Sequence, residues 1–483
     1  MSVGDFRKEP TIAQRGVIYS VAGSKFSKDV VWAGTDDGRV HVTMDGGKNW
    51  RDITPGELTA WDKISQIDAG QHDINTAYVS VNALRKDDLR PHIFKTTDGG
   101  TTWARISTGL PSEPVNVVRE DPEQRGLLFV GTEKAVYFSP DGGVSWHPLR
   151  QNMPATSIRD LVIHGNDVVV GTHGRSIWIL DDISPLRHLA SANGNAGLTP
   201  PAKAVRVRFN MFSDTPLPPE EPAGQNPPDG ALLDYYLPKV AAVVQVDIRN
   251  EGGEVVRVFS SADVPEKPDT SSLAYPTYWF RTPQALGIAK GHHRFVWDLS
   301  YAPPRGARRE LSIAANLKNT ATSPKGIFVP PGRYQVTLVV DGQKFTQPLE
   351  VVLDPRVTAT QDDIAIQSKE SLQCYGLYHE LQAIREAVDA RLGDAKAKWK
   401  KGQKEAWLAL RGDGQPENPD VLYGSASEVP LDRETIIGLQ DKLLHILALM
   451  QGADARPTTA TVDAVERLAK RTEEMKQRYQ SLR

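Results

Sequence analysis

The chain has 483 residues, with 57 Lys plus Arg against 60 Asp plus Glu and a formal net charge of −3. That balance argues against a dedicated nucleic-acid binder, and no apolar run approaches the length a membrane helix needs. The single cysteine, Cys374, excludes an intrachain disulfide. Length predicts about three domains. Abundant glycine and proline suit turn-rich β structure, and ten tryptophans against twelve phenylalanines ask for a repeat. The opening MSVGDFRKEPTIAQRG has no apolar signal-peptide core. The expectation is a cytoplasmic protein or a piece of a longer precursor.

Three segments match one another: MDGGKNW (Met44 to Trp50), TDGGTTW (Thr97 to Trp103) and PDGGVSW (Pro140 to Trp146). A second motif precedes each: WAGT ending at Thr35, YVSV at Tyr78 to Val81, and FVGT ending at Thr132. VVGT, ending at Thr172, opens a fourth unit. Each unit reads as four strands in about 45 residues, which is a propeller blade. Asp-Gly and Gly-Gly supply the positive φ of a tight hairpin. The aspartates Asp45, Asp98 and Asp141 are structural, accepting hydrogen bonds buried in the turn. Trp50, Trp103 and Trp146 fill space between blades.

These repeats resemble Asp-box (BNR) repeats of the sortilin-like and xyloglucanase-like propeller type, and in particular the C-terminal half of large bacterial BNR-repeat "glycosyl hydrolase" proteins. WAGTDDGRVHVTMDGGKNW, RPHIFKTTDGG, VVREDPEQRGLLFVGTE and VVGTHGRSIWILDD carry the resemblance. It extends through GGEVVRVFS, HRFVWDLSY and VPPGRYQVTLVVDG. The resemblance implies a periplasmic or secreted protein and a propeller with more blades. Here four blades fit within residues 1–188, and the fourth lacks its Asp-Gly-Gly hairpin. The blades therefore expect a homodimer or a complementary propeller half to cover exposed strand edges.

Residues 189–230 are proline-rich and linker-like, including SANGNAGLTPPAK and DTPLPPEEPAGQNPPDG. Alternating runs over 231–355 read as an immunoglobulin- or fibronectin-like sandwich closed by a hairpin at Asp341-Gly342. His292-His293 reads as a loop ahead of a strand. Residues 356–483 carry helical spacing: Leu381, Ile384, Val388 and Leu392; then Ile436 to Met450; then Val465 to Leu482. Three helices would form a bundle or coiled-coil tail. Cys374 reads as packed core, and the lysines Lys396 to Lys404 as a solvated helix end. The fold class is mainly β: a partial propeller, a sandwich and a helical tail.

The turns joining second to third strands should gather on one propeller mouth, opposite the Asp-Gly-Gly hairpins. They offer Asp36 and Asp37; Arg85, Lys86, Asp87, Asp88 and Arg90; Glu133 and Lys134; and His173, Gly174 and Arg175. Loops on a rigid scaffold carry function. In one reading this mouth grips a glycan or peptide, with Arg85, Arg90, His173 and Arg175 as ligand-binding groups. In the other, two carboxylates drawn from Asp36, Asp37, Asp87, Asp88 and Glu133 hydrolyse a glycosidic bond. The charges also suit solvated turns. Asp36, Asp37, Asp87, Asp88 and His173 could hold calcium, but no metal, cofactor, nucleic-acid or membrane partner is expected.

Overall fold

The computed structural model describes residues 16–189, 194–208, 224, 227–264, 277, 284–311, 322–412 and 434–483. The chain divides into two compact units, Met1–Gly194 and Asn195–Arg483. Most of the N-terminal segment and most of DTPLPPEEPAGQNPPDG lie outside the described residues.

The first unit is four successive antiparallel sheets, each in chain order. They are β1 (Ile18–Gly23), β2 (Val31–Thr35), β3 (Val40–Thr43) and β4 (Arg51–Asp52); β5 (Lys63–Ala69), β6 (Ala77–Asn82), β7 (His92–Thr96) and β8 (Ala104–Arg105); and β9 (Val115–Glu120), β10 (Leu128–Thr132), β11 (Val136–Ser139) and β12 (His147–Pro148). The fourth has three strands: β13 (Ile158–His164), β14 (Asp167–Thr172) and β15 (Ile177–Leu180). First strands lie side by side in the order β1, β5, β9, β13. This is β-propeller architecture, with first strands at the hub and fourth strands outside.

The Gly-Thr pairs have separate jobs. A Cβ at Gly34 would stand 2.4 Å from Ile64 of the next blade, and one at Gly131 would stand 2.5 Å from Ile158. Glycine therefore lets the next first strand approach. Each threonine closes the turn beyond it. The hydroxyls of Thr35, Thr132 and Thr172 accept the N–H of Arg39 (2.9 Å), Lys134 (3.1 Å) and Arg175 (3.1 Å). Between blades, apolar side chains pack face to face, as Trp32, Val40 and Val42 do on Ile64, Ile67 and Val79.

In the Asp-Gly-Gly hairpins, Asp98 accepts from the Thr96 hydroxyl (2.8 Å), the Thr102 N–H (2.9 Å) and the Thr102 hydroxyl (2.6 Å). Asp45 and Asp141 repeat the pattern with Thr43 and Asn49, and with Ser139 and Ser145. Contrary to expectation, these bonds are not buried: Asp98 and Asp141 are exposed and Asp45 half-buried. The turn projects from the rim, and its stability is local. Hydrogen bonds from Thr102, then from Thr96, hold the Asp98 carboxyl down at about 2.

A short helix, α1 (Ser184–His188), follows the fourth blade. Its Arg187 is buried and paired with Asp121 of blade three (3.0 Å), tying the end of the unit back onto its neighbour.

The second unit holds two sheets around one core. One sheet is β16 (Gly197–Leu198), β18 (Ala231–Leu237) and β21 (Gly291–Trp297). The other runs β17 (Ala204–Arg206), β25 (Gln343–Leu353), β24 (Gly332–Val340), β19 (Val244–Asn250) and β20 (Val255–Ser260). A two-strand pair, β22 (Glu310–Leu311) with β23 (Thr322–Ser323), lies apart. Leu233, Tyr235 and Trp297 of the first sheet meet Val246, Val336 and Leu349 of the second. Asp341 and Gly342 both take positive φ at the β24–β25 turn, as the sequence expects.

Two expectations change here. The stretch 189–230 supplies β16 and β17, so it is part of the sandwich as well as a connection; strands of two and three residues leave no periodic signal. His292 and His293 lie within β21, opposite Tyr236 and Tyr235, where they contact those rings.

Among the described residues four helices complete the unit: α2 (Gln361–Gly393), α3 (Gln403–Arg411), α4 (Ile436–Met450) and α5 (Thr459–Leu482). Thr360 and Asp363 form a reciprocal capping box at the start of α2. Helix α3 was not foreseen; its Trp407 and Leu410 join Leu381, Leu439, Leu443 and Val465 in the core. Cys374 is buried there, its thiol pushed up to about 12 by burial. Lys396, Lys398, Lys400, Lys401 and Lys404 are exposed. The helices are pinned to the sandwich by Arg206, 1 % exposed, which donates to Val329 O (2.9 Å), Gln367 and Asp454.

Candidate ligand-binding mouth

Each first strand starts at the rim where second strands turn into third strands. The ends of β5, β9 and β13 thus bring Lys63, Asn116 and Arg159 to the same mouth as the charged turns. Glu133 links blades two, three and four there. Its Oε1 accepts from Asn116 (3.1 Å), Asn82 (3.3 Å) and Arg159 (3.4 Å). Asn82 also donates to Asn116 Oδ1 (2.7 Å), and buried Asn116 donates to Ile158 O (3.0 Å). Burial alone would raise the Glu133 carboxyl. Hydrogen bonds from Ser157, Asn116 and Asn82 and the Arg159 charge outweigh it and hold the group low.

Beside this network, Lys63 Nζ lies 3.6 Å from the centre of the Tyr19 ring. Hydrogen bonding and charge from Lys63 pull the Tyr19 phenol below its usual value, with Arg159 and Arg85 acting in the same direction. Lys63 is thus the cation in contact with this ring, and the charges of Arg159 and Arg85 act on the phenol from farther off. Arg85 is exposed, and the Arg159 side chain is about half exposed.

The other turn residues are held locally. Asp36 is buried and accepts the Val17 N–H (2.8 Å). Asp37 accepts the Thr35 hydroxyl. The turn after β6 forms one 3-10 turn, Leu84–Lys86, ended by Asp87 at φ 60. Its Lys86 reaches Asp62 (2.7 Å) in the connection between blades one and two. Asp87 is exposed, and Asp88 accepts two bonds from Arg90 (2.9 and 2.8 Å) and contacts His92 (2.9 Å). The Arg90 guanidinium, chiefly, holds the Asp88 carboxyl well below the usual carboxylate range. His173 and Arg175 are exposed on the fourth blade, as is Lys134 on the third.

The structure therefore engages Arg90 with its own turn. It brings Glu133 together with Asn82, Asn116 and Arg159, which the turn-based reading missed. Their signal was a polar residue at the mouth end of an otherwise apolar strand. Among the described residues no group of three or more His, Cys, Asp or Glu side chains could hold a metal ion, so Asp36, Asp37, Asp87, Asp88 and His173 form no calcium set. Nor is any described helix long and apolar enough to cross a membrane.

A carboxyl raised by burial does occur, at the opposite end of the first strands. Asp68 on β5 is pushed up to about 6 by burial, against the Glu120 N–H (2.9 Å) and Arg119 (3.2 Å), which favour its charge. It is sealed between blades two and three. A cavity of about 420 Å³ lies elsewhere, outside the mouth, lined by Ile53, Pro55, Glu57, Phe94 and Trp103.

No family model matches the chain. Over 141 residues, 26% of this chain, it is 27% identical to the vacuolar protein sorting/targeting protein 10 of Paracoccidioides brasiliensis strain Pb18, of which it covers 9%. Among solved structures it is similar to the GH74 xyloglucanase from Xanthomonas campestris, with 16% identity and a TM-score of 0.30 over 69% of this chain and 45% of that one. It is also similar to YCF48 bound to D1 peptide, with 20% identity and a TM-score of 0.25 over 32% and 48% of the two chains. The chain thus spans only a small part of its sorting-protein relative. Its four sheets, with their hub-to-rim order, make the first unit a β-propeller, and about a quarter of the chain is similar in sequence to the sorting protein.

Proposed function

We propose that the propeller mouth is a recognition surface for an extended ligand bearing carboxylates, of which an acidic peptide is the simplest. The observation that carries this reading is Lys63 held 3.6 Å from the centre of the Tyr19 ring, with Arg85 in the turn after β6 and Arg159 at the mouth end of β13 on the same rim. Arg85 and half of Arg159 face solvent, so their charge is available to a ligand. Asn82 and Asn116 are fixed by Glu133 and offer a preorganised polar floor. Hydrolysis by a carboxylate pair is less well supported. A general acid needs a raised pKa, whereas Asp88 and Glu133 are both held low by their partners. A glycan ligand and glycoside hydrolysis are the alternatives to this peptide reading, and an extracytoplasmic setting goes with recognition of either ligand.

Calorimetric titration with a glutamate-rich peptide tests it, alongside its glutamine counterpart and a neutral oligosaccharide. The acidic peptide alone should bind, more weakly as salt rises. Arg85→Ala and Arg159→Ala should each weaken binding by about two- to five-fold, since exposed ion pairs are worth under about 1 kcal/mol. Selective binding and cleavage of the oligosaccharide would support the hydrolase instead.

A further inference from the structure

Successive blades share one repeated joint. The indole N–H of Trp103 in blade two donates to Ile53 O of blade one (2.7 Å), and Trp146 in blade three donates to Ile106 O of blade two (2.8 Å). Each isoleucine directly follows its blade's fourth strand and bonds back to the third strand through its own N–H (Ile53 to Val40 O, 2.9 Å; Ile106 to Ile93 O, 3.0 Å). The second hairpin glycine closes on the same isoleucine: a Cβ at Gly100 would meet Ile53 at 2.6 Å, and one at Gly143 would meet Ile106 at 2.7 Å. The joint has a hub half as well, where Ile64 and Ile158 enter the space left by Gly34 and Gly131.

Blade one carries the receiving side of this joint, and among the described residues nothing fills it. Trp50 is 46 % exposed where Trp146 is 9 % exposed. Among the described residues no carbonyl accepts from the Trp50 indole. Gly47 is exposed, whereas Gly100 and Gly143 are buried. At the hub, Ile18 sits in register with Thr35, as Ile158 does with Thr172, yet it is 66 % exposed.

We propose that this face of blade one docks a further four-stranded propeller blade of a partner propeller. That blade would insert an isoleucine or leucine, placed just after its fourth strand, between Trp50 and Gly47, and present a glycine to Ile18. The occupant is argued from continuity: at the rim the open side repeats the tryptophan and second hairpin glycine of the two filled rim joints, and at the hub Ile18 repeats the register of Ile158, which fills the space at Gly131. A second copy of this chain satisfies only half of it. Its fourth blade has Gly171, beside which a Cβ would meet only ordinary contact at 3.6 Å, so it could take Ile18. Among the described residues that blade has no fourth strand, so it offers no isoleucine placed just after one to reach Trp50.

The test repeats residues 17–62 in tandem ahead of the full chain, giving 1–62 followed by 17–483. This keeps the natural spacing between blades. Trp50 of the added copy is replaced by Phe, so that only the original Trp50 reports. Hydroxyl-radical footprinting read by mass spectrometry then compares Trp50 with Trp103 and Trp146 in the same molecule. Trp50 should be far more reactive than Trp146 in the chain of native length, and should fall to the level of Trp103 in the extended chain. An Ile53→Asp change in the added copy should restore its reactivity. If Trp50 stays as reactive in the extended chain as in the native one, the proposal is overturned. A dimer of the native chain that Trp50→Ala returns to monomer in sedimentation would also overturn it, by giving the face to a second copy.

Discussion

At Gly131, one missing methyl group decides whether two blades can meet. Gly131→Ala should destabilise the propeller by about 1–3 kcal/mol, the usual cost of overpacking a filled joint, because Ile158 is anchored on both sides. Gly171→Ala, at the equivalent place in blade four, should leave the urea midpoint nearly unchanged, since no next blade approaches it. The Gly-Thr repeat was legible in the sequence, but the difference between its members was not; it depends on what stands opposite each glycine. The same holds for the mouth. Lys63, Asn116 and Arg159 lie on strands, where a search of turns does not look, and only the side-by-side order of first strands assembles them. Asp68 gives a pH signature. Its folded pKa of about 6 lies above the ordinary 3.8, so ionisation opposes folding. The penalty is absent below about pH 4 and complete above about pH 6, on the order of 2–3 kcal/mol at most. Asp98 acts oppositely: its lowered pKa stabilises above about pH 4, and that contribution fades as pH falls towards 2. Chemical denaturation should thus show stability rising from pH 7 to 4.5, and Asp68→Asn should flatten that rise.

Between elements, the tryptophan joints make a paired comparison. Trp146→Phe removes the indole bond to Ile106 O and should cost about 1 kcal/mol, read as a lowered melting temperature. Trp50→Phe in the chain alone should stay within about 0.5 kcal/mol of the parent, because its indole donates to no described carbonyl. Equal losses would mean that the Trp50 joint is already occupied within the chain. Sequence periodicity found the long sandwich strands and three helices well, since each buries a regular face. It missed β16, β17 and α3. The two strands are too short for alternation to appear, and α3 sits among exposed lysines with Trp407 and Leu410 as its buried residues.

At the scale of the whole molecule, the helices belong to the sandwich's unit and are not a free tail. The buried contact of Arg206 with Asp454 is a principal tie. Asp454→Ala leaves a guanidinium buried without its counter-charge and should cost about 3–5 kcal/mol, seen as early loss of helical circular dichroism on heating. In the first unit, exposed apolar residues mark both ends: Tyr19 and Val21 on blade one, Ile177 and Ile179 on blade four. The first strands bring Lys63 and Arg159 to the same rim as Arg85, and the proposed recognition at that mouth is the central claim. Hydrogen-exchange mass spectrometry of the full chain, with and without a glutamate-rich peptide, tests it most directly. Protection should appear in peptides covering residues 63–66, 82–90, 116–118 and 157–160. Protection confined to the Asp-Gly-Gly hairpins or to the second unit, or none at saturating peptide, would contradict it.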